Sequence, residues 1–567
     1  MKFKEFAQFL FRLEGTRSRN EMTEILAQLL GKMEAGEAGK GVNLLLGQLA
    51  PNYEEVVFNI ADQLMIGAIA QAYGRSETEI TARFKRAGDL GEVAGGLAEE
   101  RGENLSISDV FERFGEIAAL AGEGSQEKKV AGMARLMCDL DPLGAKYAVK
   151  ITLGKLRLGF SDKTIIDAIS WAEKGDKSVK EMAEMAYQVY PDIGRLVERI
   201  KKLGFERATK ETEAKVGVPI MPMLAQRLKS PDEIIKKMGT VAVEPKLDGL
   251  RICLHFRRGK NGRVMAFTRH LHDVAWMFPE LDGVGERLKA DEIILDSEAV
   301  GVDEKRLAVA DFQTTMSRRR KHNIGEFSLK IPIKFWVFDV LLKDGKSMLT
   351  DPYSKRREVL ERTVVQGGLL RLVESEITSD PKRIVQLNRE NRERGMEGIM
   401  IKKADSGYVP GRTGWRWVKM KEGEEETGKL ADTVDCVVMG YSVGEGKRAG
   451  FGLGQFLVGV ADGEKIKTVC KVGTGLSDED FVELEKKLSG LRVKARPVGY
   501  VVGETLTPDY WVKPRVVVEI TGDQISKSPR HSSGLAIRFP RLVKVRRDKN
   551  ADQATTLDEL REIASLS

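Results

Sequence analysis

The heptapeptide GVPIMPM at Gly217–Met223 divides the chain into two textures, and that break constrains the architecture more than any other feature. Its two closely spaced prolines mark a linker. Before it the chain is rich in Leu, Ala, Glu and Lys, with prolines only at Pro51, Pro142 and Pro191. After it, alternating β-branched runs begin, the period-two pattern of strands. At 567 residues the chain also exceeds what one hydrophobic core organises, so two to four domains are expected.

Residues 1–215 are expected to form an all-helical domain. Phe3, Phe6, Leu10 and Leu13 share one helical face, and YEEVVFNIADQLMIGAIAQAYG carries apolar residues at helical spacing. In LGKLRLGFSDKTIIDAIS, Lys155 and Arg157 precede a turn at Gly159. Ser161 or Asp162 can then cap the helix that carries Ile165, Ile166 and Ile169. A capped helix start beside cations could grip a backbone phosphate, and a plain helix–turn–helix connection is equally compatible.

Residues 216–421 are expected to form an α+β domain. VAVEPK, LRICLHF, RVMAFT, EIILDSEAV, IKFWVFDVL, GIMIKK and WRWVKMK read as strands, and YSKRREVLERTV and PKRIVQLNRENRERG as helices. The acidic segment EGEEETGKLAD suits a hinge. Beyond it DTVDCVVMGYS, QFLVGVAD, KIKTVCKVG and RVVVEITG, with one helix at SDEDFVELEKKLSG, suggest a small β-barrel of the oligonucleotide-binding (OB) type within 422–567.

Several classes are excluded. No apolar stretch is long enough to span a bilayer, and MKFKEFAQFLFRLEG lacks the apolar core and cleavage site of a secretion signal. Cys138, Cys253, Cys436 and Cys470 lie far apart with no C-x-x-C pair, which argues against a disulfide scaffold or four-thiolate zinc site and for a reducing cytoplasm. His270 and His272 could share a strand face but have no accompanying ligand pattern. A net charge of +7 permits a polyanionic partner. Cations concentrate in RRRK (Arg318–Lys321), where a solvated loop and a phosphate contact are equally compatible, and in RLVKVRRDK (Arg541–Lys549). GYSVGEGKR (Gly440–Arg448) has Tyr441 and Arg448 where a phosphate-binding loop needs glycine and Ser or Thr, so it reads as a glycine-rich loop.

The sharpest local feature is EPKLDGLR, Glu244–Arg251. Lys246 ends one strand, Asp248 and Gly249 make a tight turn, and Arg251 opens the next. An amine, a guanidinium and a carboxylate are thereby gathered in a small space, and neighbouring cations would push Lys246 towards its neutral, nucleophilic form. Further on, Thr268 and Arg269 end a strand, while Asp296 and Glu298 share one strand face. Phe338 offers an aromatic surface for a nucleobase, and Glu397 an oxygen ligand for Mg²⁺. Lys419 and Lys421 point to one face, which suits a triphosphate.

In this order the residues resemble the covalent nucleotidyltransferase superfamily of DNA ligases, RNA ligases and messenger-RNA capping enzymes. Six of its motifs are matched: KLDGLR, TRHLHD, LDSE, FWVFD, EGIMIKK and WVKMK. The ending RFPRLVKVRRDK is similar to that of ATP-dependent DNA ligases, and LGKLRLGFSDKTIIDAI and PIMPMLAQRL look like the replicative ligases of archaea and eukaryotes. The resemblance covers essentially the whole chain. It implies three domains: a helical DNA-binding domain, an adenylation domain and an OB-fold barrel.

The resemblance also implies roles. Lys246 would carry AMP, Glu244 read the adenine edge and Phe338 stack on the ring. Arg251 and Glu298, assisted by Arg269, would hold ribose and phosphate, and Lys419 and Lys421 the α-phosphate. Glu298 and Glu397 would place Mg²⁺, and Arg546, Asp548 and Lys549 would orient pyrophosphate. The family's usual arginine six places before the first lysine is Thr413 here. Arg412 beside it is the candidate substitute, although adjacent strand residues normally face opposite ways. The second motif also departs from an asparagine-containing version but keeps Arg269. Implied partners are ATP and nicked duplex DNA, acting on a monomer; a sliding clamp stays open, with no clear clamp-binding peptide. Three rivals are weaker. A capping enzyme would lack the RFPRLVKVRRDK ending and the large helical domain. An NAD-dependent ligase normally carries a four-cysteine zinc module. A clamp without activity would not be expected to keep Lys246, Glu298, Glu397, Lys419 and Lys421.

Overall fold

The computed structural model describes residues 1–100, 104–228, 230–259, 262–303, 308–309, 318, 331–411, 414–421, 433–443, 452–522 and 524–566, with the backbone alone at Asp303, Ala308, Val309, Lys421, Asp478, Gln524, Ser565 and Leu566. Two compact units emerge, Met1–Met420 and Lys421–Ser567.

The first unit begins with helices alone. Phe3, Phe6, Leu10 and Leu13 are fully buried on one face of the helix Phe3–Gly15, and they open an apolar core that runs on to Phe205. Two local expectations fail. In YEEVVFNIADQLMIGAIAQAYG only Asp62–Ala72 is α-helical, while Asn52–Glu54 forms a short 3₁₀ turn. The β-branched pair Val56–Val57 and a left-handed Asn59 (φ 51°) keep the intervening backbone out of the helix. Ser161 occupies the N-cap of the helix Asp162–Lys174, but its side chain makes no capping hydrogen bond. The Asp162 carboxylate instead accepts from Tyr187 at 2.5 Å, and Lys155 pairs with Asp62 at 2.7 Å, so both polar groups tie helices together.

Twelve strands follow among the described residues of this unit: β1 (Gln226–Arg227), β2 (Val241–Pro245), β3 (Leu250–Arg257), β4 (Arg263–Thr268), β5 (Glu292–Asp303), β6 (Ala308–Val309), β7 (Ile333–Lys343), β8 (Lys346–Ser347), β9 (Leu370–Leu372), β10 (Glu376–Thr378), β11 (Gly398–Lys403) and β12 (Trp417–Lys421). They build two sheets. One has the order β1-β12-β11-β2-β10; the other runs β4-β3-β5-β7-β8, with β6 on β5 and β9 on β7. The helices Tyr353–Thr363 and Pro381–Glu393 appear where the apolar spacing places them.

β2 and β3 do not form the hairpin expected at EPKLDGLR. Pro245 pairs with Ile399 of β11 in one sheet, and Leu250 pairs with Ala299 of β5 in the other. The segment Lys246–Gly249 therefore crosses from sheet to sheet. A Cβ on Gly249 would lie 2.5 Å from the Ala299 carbonyl oxygen and 2.8 Å from a Val300 methyl, so only glycine fits this crossing. The linker at Gly217–Met223 is also more than a spacer. The Met223 N–H donates to the Tyr408 hydroxyl at 2.9 Å, and the Leu224 N–H to the Gly411 carbonyl at 2.7 Å, which lashes the linker to the strand domain. Gly217 N–H donates to Nδ1 of the fully buried His255 at 3.1 Å.

Arg318, the one described member of RRRK, is neither solvated nor turned to a ligand. It is buried, pairs with Glu280 at 3.0 Å and donates to the Met277 and Ile331 carbonyls. His270 and His272 follow the end of β4 and are not strand residues, and no cluster of three metal-ligating side chains occurs among the described residues.

The second unit holds ten strands among its described residues, more than the four named from the sequence: β13 (Val434–Ser442), β14 (Gln455–Asp462), β15 (Lys465–Val472), β16 (Arg492–Val493), β17 (Tyr500–Val501), β18 (Tyr510–Val512), β19 (Val517–Thr521), β20 (Gln524–Lys527), β21 (Leu535–Arg538) and β22 (Arg541–Arg546). Eight form one sheet around β13 and β14, and β20–β21 is a separate hairpin. No pairing among the described residues closes the sheet into a barrel. The helix at Asp478–Ser489 is present, capped reciprocally by Ser477 and Asp480, and a second at Leu557–Leu566 was not anticipated. The hinge segment and most of GYSVGEGKR lie outside the described residues. All four cysteines are free, and among the described residues no helix is long and apolar enough to cross a membrane.

Candidate active site

At the crossing between the sheets lies a cavity of about 250 Å³. Seven of the residues singled out in the sequence line it: Glu244, Lys246, Arg251, Arg269, Glu298, Phe338 and Lys419. Strand register explains how they meet. The antiparallel pairing of β2 with β11 continues past Pro245, where Lys246 N–H donates to the Gly398 carbonyl at 2.9 Å and Glu397 N–H to the Lys246 carbonyl at 3.3 Å. That register sets the Glu397 carboxylate beside the Lys246 ammonium, with which it forms an ion pair. The neighbouring cations expected to push Lys246 towards its neutral form are thus joined by an anion in direct contact with it.

On the other sheet Arg251 stands across from Glu298. Its guanidinium is gripped by Asp296 at 2.7 and 3.0 Å and donates to the Met223 carbonyl at 2.7 Å and the Tyr408 hydroxyl at 3.2 Å. Burial disfavours the charged guanidinium, but Asp296 overrides this and holds it protonated. Glu298 feels the opposite balance. Burial pushes its carboxyl up to about 7, against the pull of Arg251 and Lys246 and a hydrogen bond from Gly249 N–H.

Phe338 owes its direction to a bulge. The β5–β7 register steps from Asp296↔Asp339 to Ser297↔Val337, leaving Phe338 as the extra residue on its strand. Its ring meets Trp417 edge-on at 6.0 Å, and the Arg251 guanidinium lies within 5.6 Å of both ring centres. Behind it, Asp339 is bound by both guanidinium arms of Arg356 at 2.7 and 2.9 Å, which fixes the strand from below.

Glu244 lines the cavity and is held there by two neighbours. It is 2% exposed; one carboxylate oxygen accepts from the Tyr353 hydroxyl at 2.5 Å and the other meets Lys402 Nζ at 2.7 Å. Lys402, Tyr353, Tyr408 and Trp417 were not singled out as site residues from the sequence. A signal for Lys402 existed: Ile399 and Ile401 are buried on one face of β11, so the period of two turns Met400 and Lys402 to the cavity.

The remaining residues fall elsewhere. Arg269 is exposed at the cavity wall. Arg412 and Thr413 lie outside the described residues, as does the Lys421 side chain. In the second unit, Arg546 and Lys549 converge on Asp435 at 2.8 and 2.7 Å, and Arg546 also pairs with Asp548 at 2.7 Å.

Comparison with known proteins agrees with this geometry. Residues 222–421 match the family model described as ATP dependent DNA ligase domain, residues 2–170 that of DNA ligase N terminus, and residues 449–549 that of ATP dependent DNA ligase C terminal region. The chain belongs to the ATP-dependent DNA ligase family. A probable DNA ligase of Dictyoglomus thermophilum is 39% identical over 574 residues, covering 99% of this chain and 97% of that protein. DNA ligase 1 of Methanosarcina mazei is 36% identical, with 99% of each chain covered. A solved structure named Pmar-Lig_PreS3, 18% identical, shares the fold with a TM-score of 0.56 over 95% of this chain and 99% of its own. Nick sealing in DNA at the expense of ATP is the general function of these ligases, with standard roles in replication and repair, and members need a divalent metal.

Proposed function

We propose that this ligase works through Lys246, which attacks the α-phosphorus of ATP with its Nζ. A phosphorus–nitrogen bond forms, the bond to the β-phosphate oxygen breaks, and pyrophosphate leaves. AMP then passes to the 5′-phosphate at a nick, freeing the lysine, and the adjacent 3′-hydroxyl displaces AMP to close the strand. The observation that carries this reading is the position of Lys246 on the sheet crossing, inside a cavity with Arg251, Arg269, Lys419 and an aromatic wall. Such a reaction asks the protein mainly for alignment and charge neutralisation.

Each neighbour takes a role in that frame. The proton leaving Nζ has Glu397 as its acceptor in direct contact. Phe338 stacks on the base, Glu244 accepts from its amino group, and Arg251 and Glu298, assisted by Arg269, hold ribose and phosphate. Lys419, Lys421 and Arg412 serve the α-phosphate. Arg546, Asp548 and Lys549 serve pyrophosphate.

Two carboxylates near the lysine fit Mg²⁺, which is commonly held by one or two carboxylates together with substrate phosphates and water. Glu298 and Glu397 would hold it, and bound magnesium would neutralise phosphate-oxygen charge.

Residues 1–215 are read as a clamp on duplex DNA through phosphate contacts, 216–421 as the adenylation domain, and 422–567 as an OB-type domain behind a hinge, in a cytoplasmic monomer. Incubation of the chain with α-labelled ATP and magnesium tests the central claim. Acid-stable label is expected on wild type and absent from Lys246→Ala; label on another residue, or on neither protein, would overturn it.

A further inference from the structure

Lys402 places an ammonium inside the cavity that the reaction above does not use. It is 1% exposed, lines the cavity with Glu244, and lies between three rings: Trp417 at 4.5 Å, Phe338 at 4.6 Å and Tyr353 at 5.1 Å from Nζ to the ring centres. A lysine in such surroundings keeps its place only if its charge is answered. Glu244 answers it at 2.7 Å, and the Phe338 carbonyl accepts a second hydrogen bond at 3.1 Å.

An ammonium has three N–H donors, and these two acceptors engage two of them. The third is available at the cavity wall, beside the ring expected to stack on the base. Glu244 adds acceptor capacity there, because each carboxylate oxygen has two lone pairs while Tyr353 and Lys402 claim one apiece. The wall therefore presents an acceptor and a donor side by side, rigidly held by strands β2 and β11. Adenine presents the complementary pair: an amino donor on C6 with a ring-nitrogen acceptor, N1 or N7, beside it. Guanine in the same pose would turn its O6 acceptor onto the Glu244 carboxylate.

We propose that Lys402 is a specificity-determining residue, whose ammonium donates to a ring nitrogen adjacent to the 6-amino group of adenine while Glu244 accepts from that amino group. The inference rests on the reading that the cavity takes ATP, and it deepens that reading by naming how the base is chosen. Lys402 also fixes Glu244, so one lysine sets both halves of the recognition pair.

The test compares self-adenylation of the full chain with ATP, 1-deaza-ATP, 7-deaza-ATP and GTP, each analogue lacking or altering one group on the purine edge. In wild type, one of the two deaza analogues should raise KM about tenfold or more with kcat changed far less, the size expected for a hydrogen bond to a charged donor. In Lys402→Met that analogue and ATP should become equivalent within about twofold. Because Lys402→Met leaves a buried carboxylate unanswered, the double variant Glu244→Gln, Lys402→Met, which removes both charges, serves as the folded control. It should likewise lose the analogue preference and narrow the margin over GTP. A wild type indifferent to both deaza analogues, or variants that keep the full preference, would overturn the inference. Failure of the underlying reading looks different: ATP itself would leave no label on Lys246.

Discussion

Around the cavity Arg251 and Lys402 each pair with one buried acid, whereas in the C-terminal unit Arg546 is engaged by acids from more than one side. Asp296 grips Arg251, and Glu244 grips Lys402, from buried positions that leave both cations lining open space. Arg546 is bracketed by Asp435, Glu519 and Asp548, and Lys549 shares Asp435 with it. The same residue types thus line an open cavity in one region and form a closed ion network in the other. In both regions the counter-ions come largely from neighbouring strands, and what differs is their number: one acid for each cavity cation, three for Arg546.

The largest effect should come from removing a buried counter-ion. Asp296→Ala is expected to cost about 3–5 kcal/mol of stability, the range for breaking a buried pair by deleting one partner. It should also slow label transfer to Lys246, measured by denaturant unfolding alongside self-adenylation. Loss of activity without loss of stability would place Asp296 among the ATP contacts. Next in size is Gly249→Ala. With a backbone oxygen 2.5 Å from the new Cβ, the crossing must shift, at about 1–3 kcal/mol. A shift of about 1 Å in the proposed nucleophile costs up to a hundredfold in rate, so activity should fall more than stability. Asp435→Asn probes the closed network. It should slow the first half-reaction about tenfold, equivalent to about 1.4 kcal/mol, and an unchanged rate would make the network purely structural.

The smallest effect is a pH dependence. Burial pulls the His255 imidazole down to about 3 from an ordinary value near 6.5, so the folded chain holds it neutral while the unfolded chain protonates it. Its contribution is complete above about pH 6.5 and drains away as pH falls towards 3. Between pH 7.5 and 6.0 the loss should be about 0.8 kcal/mol by linkage, and His255→Gln should flatten that slope in melting experiments. A slope that survives the substitution would assign the acid sensitivity to other groups.

Much of the strand domain was legible because alternation is local: Ile399 and Ile401 bury one face of β11 as their spacing requires. The seven cavity residues could be named because each has chemistry written into its side chain. What stayed hidden depended on partners distant in the chain. Nothing in EPKLDGLR says that β2 and β3 belong to different sheets, since that is decided by Ile399 and Ala299. The bulge that frees Phe338 arises from its pairing with β5, and the occupied state of Glu244 from Tyr353, over a hundred positions away. In the helical region the spacing of VVFNI suggested a helix that Asn59 and two β-branched neighbours refuse.

The zero-clearance passage at Gly249 has a consequence for how this enzyme responds to heat. If Lys246 on the seam between two layers is the nucleophile proposed above, it is aligned by both of them, so slippage of one layer against the other disturbs its aim before either layer melts. Warming should therefore silence adenylate formation at a temperature below the calorimetric transition, and cooling should restore it without any refolding lag.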